Sequence, residues 1–227
     1  MIRFSATNDV EKINKAYRMP PAILVKNERD VVARLRDLFD VSLEEMIRIV
    51  IAAVAARADS VDDDPLTAPG TLAYIFGTRA VRQTFRARGW QIDRRDGVES
   101  VVNLERGLKL VFQNADLAAA EHQPPKAVSE KGSASERAVR LAQRWLFPEM
   151  EREEVRREAA HLWFLFVSDD GSDIRSELSR PRAIADGQFV GFHERIFILN
   201  RGDLDKLSLG FDDDGPTDVP EVIVSKK

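Results

Sequence analysis

The chain has no cysteine among its 227 residues, and it has only three histidines and two tyrosines. Without cysteine it forms no disulfide, offers no thiolate to a metal and has no cysteine nucleophile. The sequence also lacks a glycine-x-serine-x-glycine elbow and a glycine-rich dinucleotide fingerprint. These absences remove several common enzyme classes, and we expect no cofactor.

Long apolar stretches are absent as well. No segment reaches the roughly 18 uncharged apolar residues that a membrane span requires, and the start Met1–Ser5 has no apolar run of signal-peptide character. Hydrophobic residues make up 44% of the chain, which is typical of a folded core. We therefore expect a cytoplasmic protein with no membrane partner.

The net charge of −4 is unevenly distributed. Residues 202–227 contain seven acidic and three basic side chains, so this segment alone carries −4 and the remainder sums to zero. A neutral body is not typical of a general nucleic-acid binder. Any such binding would need a local basic patch.

Three segments near the C-terminal end predict an antiparallel meander. His161–Val167 is a continuous apolar and aromatic run, which is typical of a central strand covered on both faces. Ile174–Ser179 alternates apolar and polar residues, and Phe189–Leu199 has the β-branched and aromatic bias of a third strand. Asp170-Gly171 supplies the first turn.

Two further strand-like runs, Val98–Leu104 and Leu108–Gln113, flank Glu105-Arg106-Gly107 and predict a hairpin. In the second run every other residue, starting at Leu108, would face the core. With the meander, this hairpin brings the expected sheet to about five strands.

Helical signals dominate the first 90 residues. Asn27 can cap one helix, Ser42–Glu45 is a capping box for the next, and a third helix runs from Thr71 to a stop at Gly89. Leu35–Ile49 resembles the turn and second helix of a helix-turn-helix, but its acidic start at Glu44 would repel DNA. We expect a helical hairpin packed in a core.

Together these signals predict an α+β fold. A helical region at 1–90 would precede a core at 91–200, built on a mostly antiparallel sheet of about five strands. A long loop and a helix would be inserted at 114–160, and an acidic tail would follow at 201–227. A loop as long as Leu117–Ser135 is either functional or mobile.

One helix carries the dense positive cluster of the chain. Arg79, Arg82 and Arg86 recur at three- and four-residue spacings, and a basic run with Trp90 in its midst follows. Guanidinium groups on one helical face can contact successive phosphates, and an exposed aromatic can stack on a base. The alternative is a solvated face paired with nearby acids. The residues that continue the basic run are Arg88, Arg94 and Arg95.

A second basic region lies where the long loop meets its helix. A helix N-terminus with glycine, hydroxyls and flanking cations suits an anion, although a capped helix after a flexible linker explains the same residues. The two regions together favour a nucleic-acid-associated binding protein. Its candidate contact residues are Arg79, Arg82, Arg86, Arg88, Lys131, Gly132, Ser133, Ser135 and Arg137.

Two other functions stay open, and so does the question whether the chain is an enzyme. A metal-dependent nuclease would use Asp96, Glu99 and Lys109, but the acid-x-lysine spacing of such enzymes is absent and ordinary cross-strand charges explain these residues. A non-catalytic adaptor or inhibitor would bind a protein partner through an apolar patch or the acidic tail.

Overall fold

A computed structural model describes residues 20–128, 133–144 and 153–204, which form one seven-stranded mixed sheet with helices on both faces. The helices are α1 (Glu28–Phe39), α2 (Leu43–Ala58), α3 (Ala68–Arg86), α4 (Ser133–Arg144) and α5 (Glu153–Ala159), with a short 3-10 helix at Arg95–Gly97. The strands are β1 (Ile23–Val25), β2 (Gln91–Asp93), β3 (Ser100–Asn103), β4 (Leu108–Asn114), β5 (His161–Asp169), β6 (Ile174–Ala185) and β7 (Gln188–Leu199).

The strand order across the sheet is β1-β7-β6-β5-β4-β3-β2. The predicted antiparallel meander β5-β6-β7 and the predicted hairpin β3-β4 are confirmed. Strand β5 lies in the middle of the order, as its apolar sequence indicated.

The expectation of about five mostly antiparallel strands is wrong. The sheet has seven strands, and two neighbouring pairs, β1 with β7 and β4 with β5, are parallel. The expected order of a helical region before the sheet is also wrong, because β1 precedes α1 and joins one edge of the sheet. The two strands missed, β1 and β2, have three residues each, too few to show an alternating pattern.

Strand β5 is buried because both of its faces are covered. Trp163, Leu165 and Val167 belong to the core that α1, α2 and α3 form on one face of the sheet. Leu162 and Phe164 belong to a second core on the other face, which includes Val139 of α4. Alternate residues of a strand point to opposite faces, so one apolar run supplies both cores.

The predicted helical hairpin and its capping box are confirmed for α1 and α2. The Ser42 side chain accepts from the Glu45 N–H, and the Glu45 carboxylate accepts from the Ser42 N–H. Asp40 ends α1 in the left-handed conformation, with φ at 57°. Arg88 holds the turn closed, because it donates to both Glu45 carboxylate oxygens at 2.6 and 2.7 Å.

The described part of the long loop is fixed to the sheet by a buried ion pair. Arg195 Nη2 lies 2.6 Å from Glu177 Oε2, and the two side chains are 4% and 0% exposed. Glu177 also accepts from the Ala119 N–H, while Arg195 donates to the carbonyls of Ala120 and Gln123. Every partner of the pair outside the sheet belongs to this loop, so the pair holds it in place.

Helix α3 lies unusually close to the sheet at Gly77. A Cβ atom built on Gly77 would lie 2.4 Å from the ring of Phe112, which is only 1% exposed and has no room to move. The missing side chain therefore sets the distance between α3 and β4.

We expect Gly77→Ala to destabilise the fold by about 1–3 kcal/mol, since the added methyl overpacks the core. Gly70→Ala is the matched control in the same helix, because the nearest atom to its Cβ lies 3.9 Å away. Alanine there should raise stability by up to about 1 kcal/mol, through helix propensity alone. Urea denaturation of both variants measures the difference, and equal effects would contradict this account of the helix position.

Candidate functional site

A cavity of about 350 Å³ lies between the β2-β3-β4 end of the sheet and helices α4 and α5. Its walls combine apolar side chains with a set of charged ones. The charged residues that line it are Asp93, Arg95, Lys109, Arg137 and Glu158.

The sheet register brings the charged residues of β2 and β4 together. Asp93 lies opposite Ser100, and Lys109 lies opposite Val102, two residues further along β3 on the same face. Lys109 Nζ is 2.9 Å from Asp93 Oδ2, and both side chains are largely buried, at 13% and 4% exposure. Arg95 Nε lies 3.7 Å from the other carboxylate oxygen, Oδ1.

The surroundings of Asp93 keep it charged. Burial raises the pKa of its carboxyl, but the contact with Lys109 and the charges of Lys109 and Arg95 outweigh burial and hold the pKa below its ordinary value. The cavity therefore presents three cations and two carboxylates, an excess of one positive charge. Such a cavity favours an anion.

Helix α5 is attached to the edge strand beside the cavity. Arg157 is buried and donates both to Gln91 of β2 and to Glu153 one turn earlier. This attachment places Glu158 and Ala160 at the cavity wall.

A second cavity of about 410 Å³ adjoins the first, and Val98 lines both. Tyr74 of α3, Glu99 and Ser135 line this second cavity. We call the two cavities together the groove. It runs from α5, past the start of α4, to α3.

Some arginines of the predicted basic helix are exposed, and others bind carboxylates of the protein itself. Arg79 is exposed, with its guanidinium 4.4 Å from the ring centroid of Phe76, and Arg86 is exposed as well. Arg82 binds Glu99. Arg88 holds the α1-α2 turn, as described above, which gives it a structural role.

Trp90 lies in the core. It is 3% exposed and packs against Phe39 and Phe85, with ring centroids 6.2 and 4.9 Å away. The expectation that it offers an exposed face for base stacking is wrong. The sequence placed it among arginines, but it follows the helix stop at Gly89 and turns back under α3.

The predicted junction between loop and helix is only partly described. Lys131 and Gly132 lie outside the described residues, and Ser133 is the first residue of α4. Ser135 lines the second cavity and Arg137 the first. Arg137 and Arg95 share a cavity, so the structure brings together the ends of two basic segments that are about 40 residues apart in the sequence.

Of the residues named for a metal-dependent nuclease, Glu99 and Lys109 have different partners. Glu99 contacts Arg82 and Arg94, whereas Lys109 pairs with Asp93, and the side chain of Asp96 lies outside the described part. Within the described ranges, no group of three or more histidine, aspartate and glutamate side chains is arranged to hold a metal ion. The Asp93–Lys109 pair was missed, because its members lie on strands whose register the sequence does not reveal.

The fold and the groove define an α+β protein with a charged cavity on one face of a mixed sheet. Within the part of the chain that is described, no helix has the length and apolarity to cross a membrane. Comparison with protein-family models, with curated proteins and with solved structures finds no match to this chain.

We expect Lys109→Met to raise the pKa of Asp93, because the burial that opposes ionisation remains while its main counter-charge is lost. In the native protein, the depressed pKa of Asp93 stabilises the fold at pH values above the pKa that Asp93 has in the unfolded chain. This contribution is lost as pH falls through the pKa of Asp93 in the folded protein. In the variant this contribution should become smaller, and it should change sign if the pKa of Asp93 rises above its value in the unfolded chain. Carboxyl ¹³C titration by NMR measures the pKa directly. Lys126→Met, at an exposed lysine, is the control, and an unchanged Asp93 pKa would contradict the assignment.

Proposed function

We propose that this chain binds nucleic acid through phosphate contacts made by the groove and by the exposed face of α3. The observation that carries the proposal is the cavity in which Arg95, Lys109 and Arg137 outnumber the acids Asp93 and Glu158. Phosphate contacts from arginine and lysine supply most of the affinity in sequence-independent binding.

The groove has features that suit a phosphate chain. Arg137 lies in the first turns of α4, where the helix dipole adds positive potential. On α3, Arg79 and Arg86 are seven residues apart, which puts them on one face about 10 Å from each other along the axis. In this proposal, Arg79 and Arg86 contact phosphates on the exposed face of α3, and the groove contacts others.

The two remaining arginines of the basic helix receive different roles in this proposal. Arg82 already has a carboxylate partner, Glu99, so a phosphate would have to displace that partner. Arg88 binds Asp40 and Glu45 at the α1-α2 turn, so its expected phosphate contact stays a prediction. The expected contacts at Lys131, Gly132, Ser133 and Ser135 stay predictions.

The affinity should depend strongly on salt. For duplex DNA, log K should fall with log salt with a slope of about −0.9 for each phosphate neutralised. Fluorescence anisotropy with labelled single- and double-stranded DNA and RNA, over a salt series and with or without magnesium, measures this slope. Cleavage products that appear only with magnesium would favour the nuclease alternative. No binding at low salt would contradict the proposal and favour a protein-partner role.

We expect Arg86→Gln and Arg95→Gln each to weaken binding across all sequences and to reduce the salt slope by about 1. Arg29→Gln is the matched control, because Arg29 is an exposed arginine of α1 that lines neither cavity. Its affinity should equal that of the native chain. An unchanged affinity in the double variant of Arg86 and Arg95 would overturn the assignment of the surface.

A further inference from the structure

Arg180 of β6 is a half-buried cation whose charge has no direct counter-ion. Within the described ranges its guanidinium makes no ion pair, and its buried Nε has no hydrogen-bond acceptor. Its Cζ lies 5.9 Å from the ring centroid of Trp163. Stacking on an aromatic ring offsets only part of the cost of burying a guanidinium.

A second buried donor lies beside it. Trp163 is 2% exposed, and its indole Nε1 also has no acceptor in the described part of the molecule. Buried donors in folded proteins nearly always have hydrogen-bond acceptors. Arg180 Nε and Trp163 Nε1 are two neighbouring buried donors without one, which indicates that a ligand with acceptor atoms binds here. An anion would supply both acceptor atoms and negative charge.

The nearest carboxylate is already occupied. Glu194 faces Arg180 across the β6-β7 register, but Arg34 of α1 holds it in a two-point contact. The two distances are 2.7 Å to Oε1 and 2.9 Å to Oε2. Arg34 and Glu194 therefore neutralise each other, and Arg180 stays in excess.

A β-bulge adds a histidine to this cluster. Arg180 pairs with Glu194 while Pro181 pairs with Phe192, so His193 is the extra residue on β7. Bulges re-aim side chains and recur next to functional sites. His161, two residues before Trp163 on the same face of β5, is exposed and opens the cluster to solvent.

Both histidines have a lowered imidazole pKa. Burial and the charges of Arg180 and Arg182, with a smaller contribution from His161, lower the pKa of His193 to about 4. Burial and the charge of Arg180 also lower the pKa of His161. Each neutral imidazole keeps one N–H for a ligand. Among the described residues, Glu194 is the carboxylate that faces this cluster across the β6-β7 register.

We propose that Arg180, His161 and His193 form a second anion site, separate from the groove, that binds a phosphate group. The donors are His161 on β5, Arg180 on β6 and His193 at the bulge of β7. A tetrahedral oxyanion accepts hydrogen bonds in several directions, whereas a carboxylate accepts them in one plane. The site does not depend on the proposed nucleic-acid binding.

The test uses the full chain and inorganic phosphate at constant ionic strength. Trp163→Phe assigns the Trp163 indole resonance among the three tryptophans in a ¹H–¹⁵N spectrum. We expect phosphate to shift this resonance saturably and Arg180→Gln to weaken binding at least tenfold. Arg29→Gln, a change at an exposed arginine of α1 outside this cluster, should leave the phosphate shift unchanged, so that a loss in Arg180→Gln is specific to this site. A shift that persists in Arg180→Gln, or that chloride reproduces, would overturn the proposal.

A second measurement does not depend on that variant folding. Bound phosphate adds negative charge beside His193, so its imidazole pKa should rise from about 4 when phosphate is present. An unchanged pKa at saturating phosphate would contradict the site. Competition by an oligonucleotide for the same Trp163 shift would assign the site to a nucleic-acid phosphate, and its absence would assign it to a small phosphorylated molecule.

Discussion

The parallel pairing of β4 with β5 is the constraint on which the groove depends. Parallel neighbours cannot be joined by a tight turn, so the chain must cross one face of the sheet before it returns. The connection between Asn114 and His161 does this, and it carries α4 and α5. That crossover puts Arg137 over the face where Lys109 and Asp93 already lie.

Charge inside this molecule has two different roles. Glu177 and Arg195 are buried, bound to each other and joined to the crossover loop, so they fix structure. The groove instead has cations in excess at its wall, and Arg180 is a cation whose neighbouring carboxylate is taken. The burial and the partners of each arginine, more than its position in the sequence, distinguish structure from binding.

The sequence predicted the strands and turns that local patterns determine. It did not predict the strand pairings between segments that are distant in the chain. The run from His161 and the glycine turn at Gly107 are local signals, and both elements formed as expected. The β4-β5 pairing joins segments about 50 residues apart, and no periodicity encodes it. For the same reason only part of the site could be predicted. Arg137 was identified from its own segment, whereas the pairing of Asp93 with Lys109 can be recognised only once the register of β2, β3 and β4 is known. Trp90 was predicted to be exposed because its sequence neighbours are basic. It is buried because its large apolar side chain packs into the core.

The central claim is that the crossover makes one groove from two basic segments, and a double-mutant cycle on Arg95 and Arg137 tests it most directly. Two side chains that serve the same phosphate are energetically coupled, so their effects on nucleic-acid affinity should depart from additivity by about 0.5 kcal/mol or more. Anisotropy titrations of Arg95→Gln, Arg137→Gln and the double variant at one salt concentration give this coupling. Losses that add within error would show that the two arginines act at separate places, and would contradict the account.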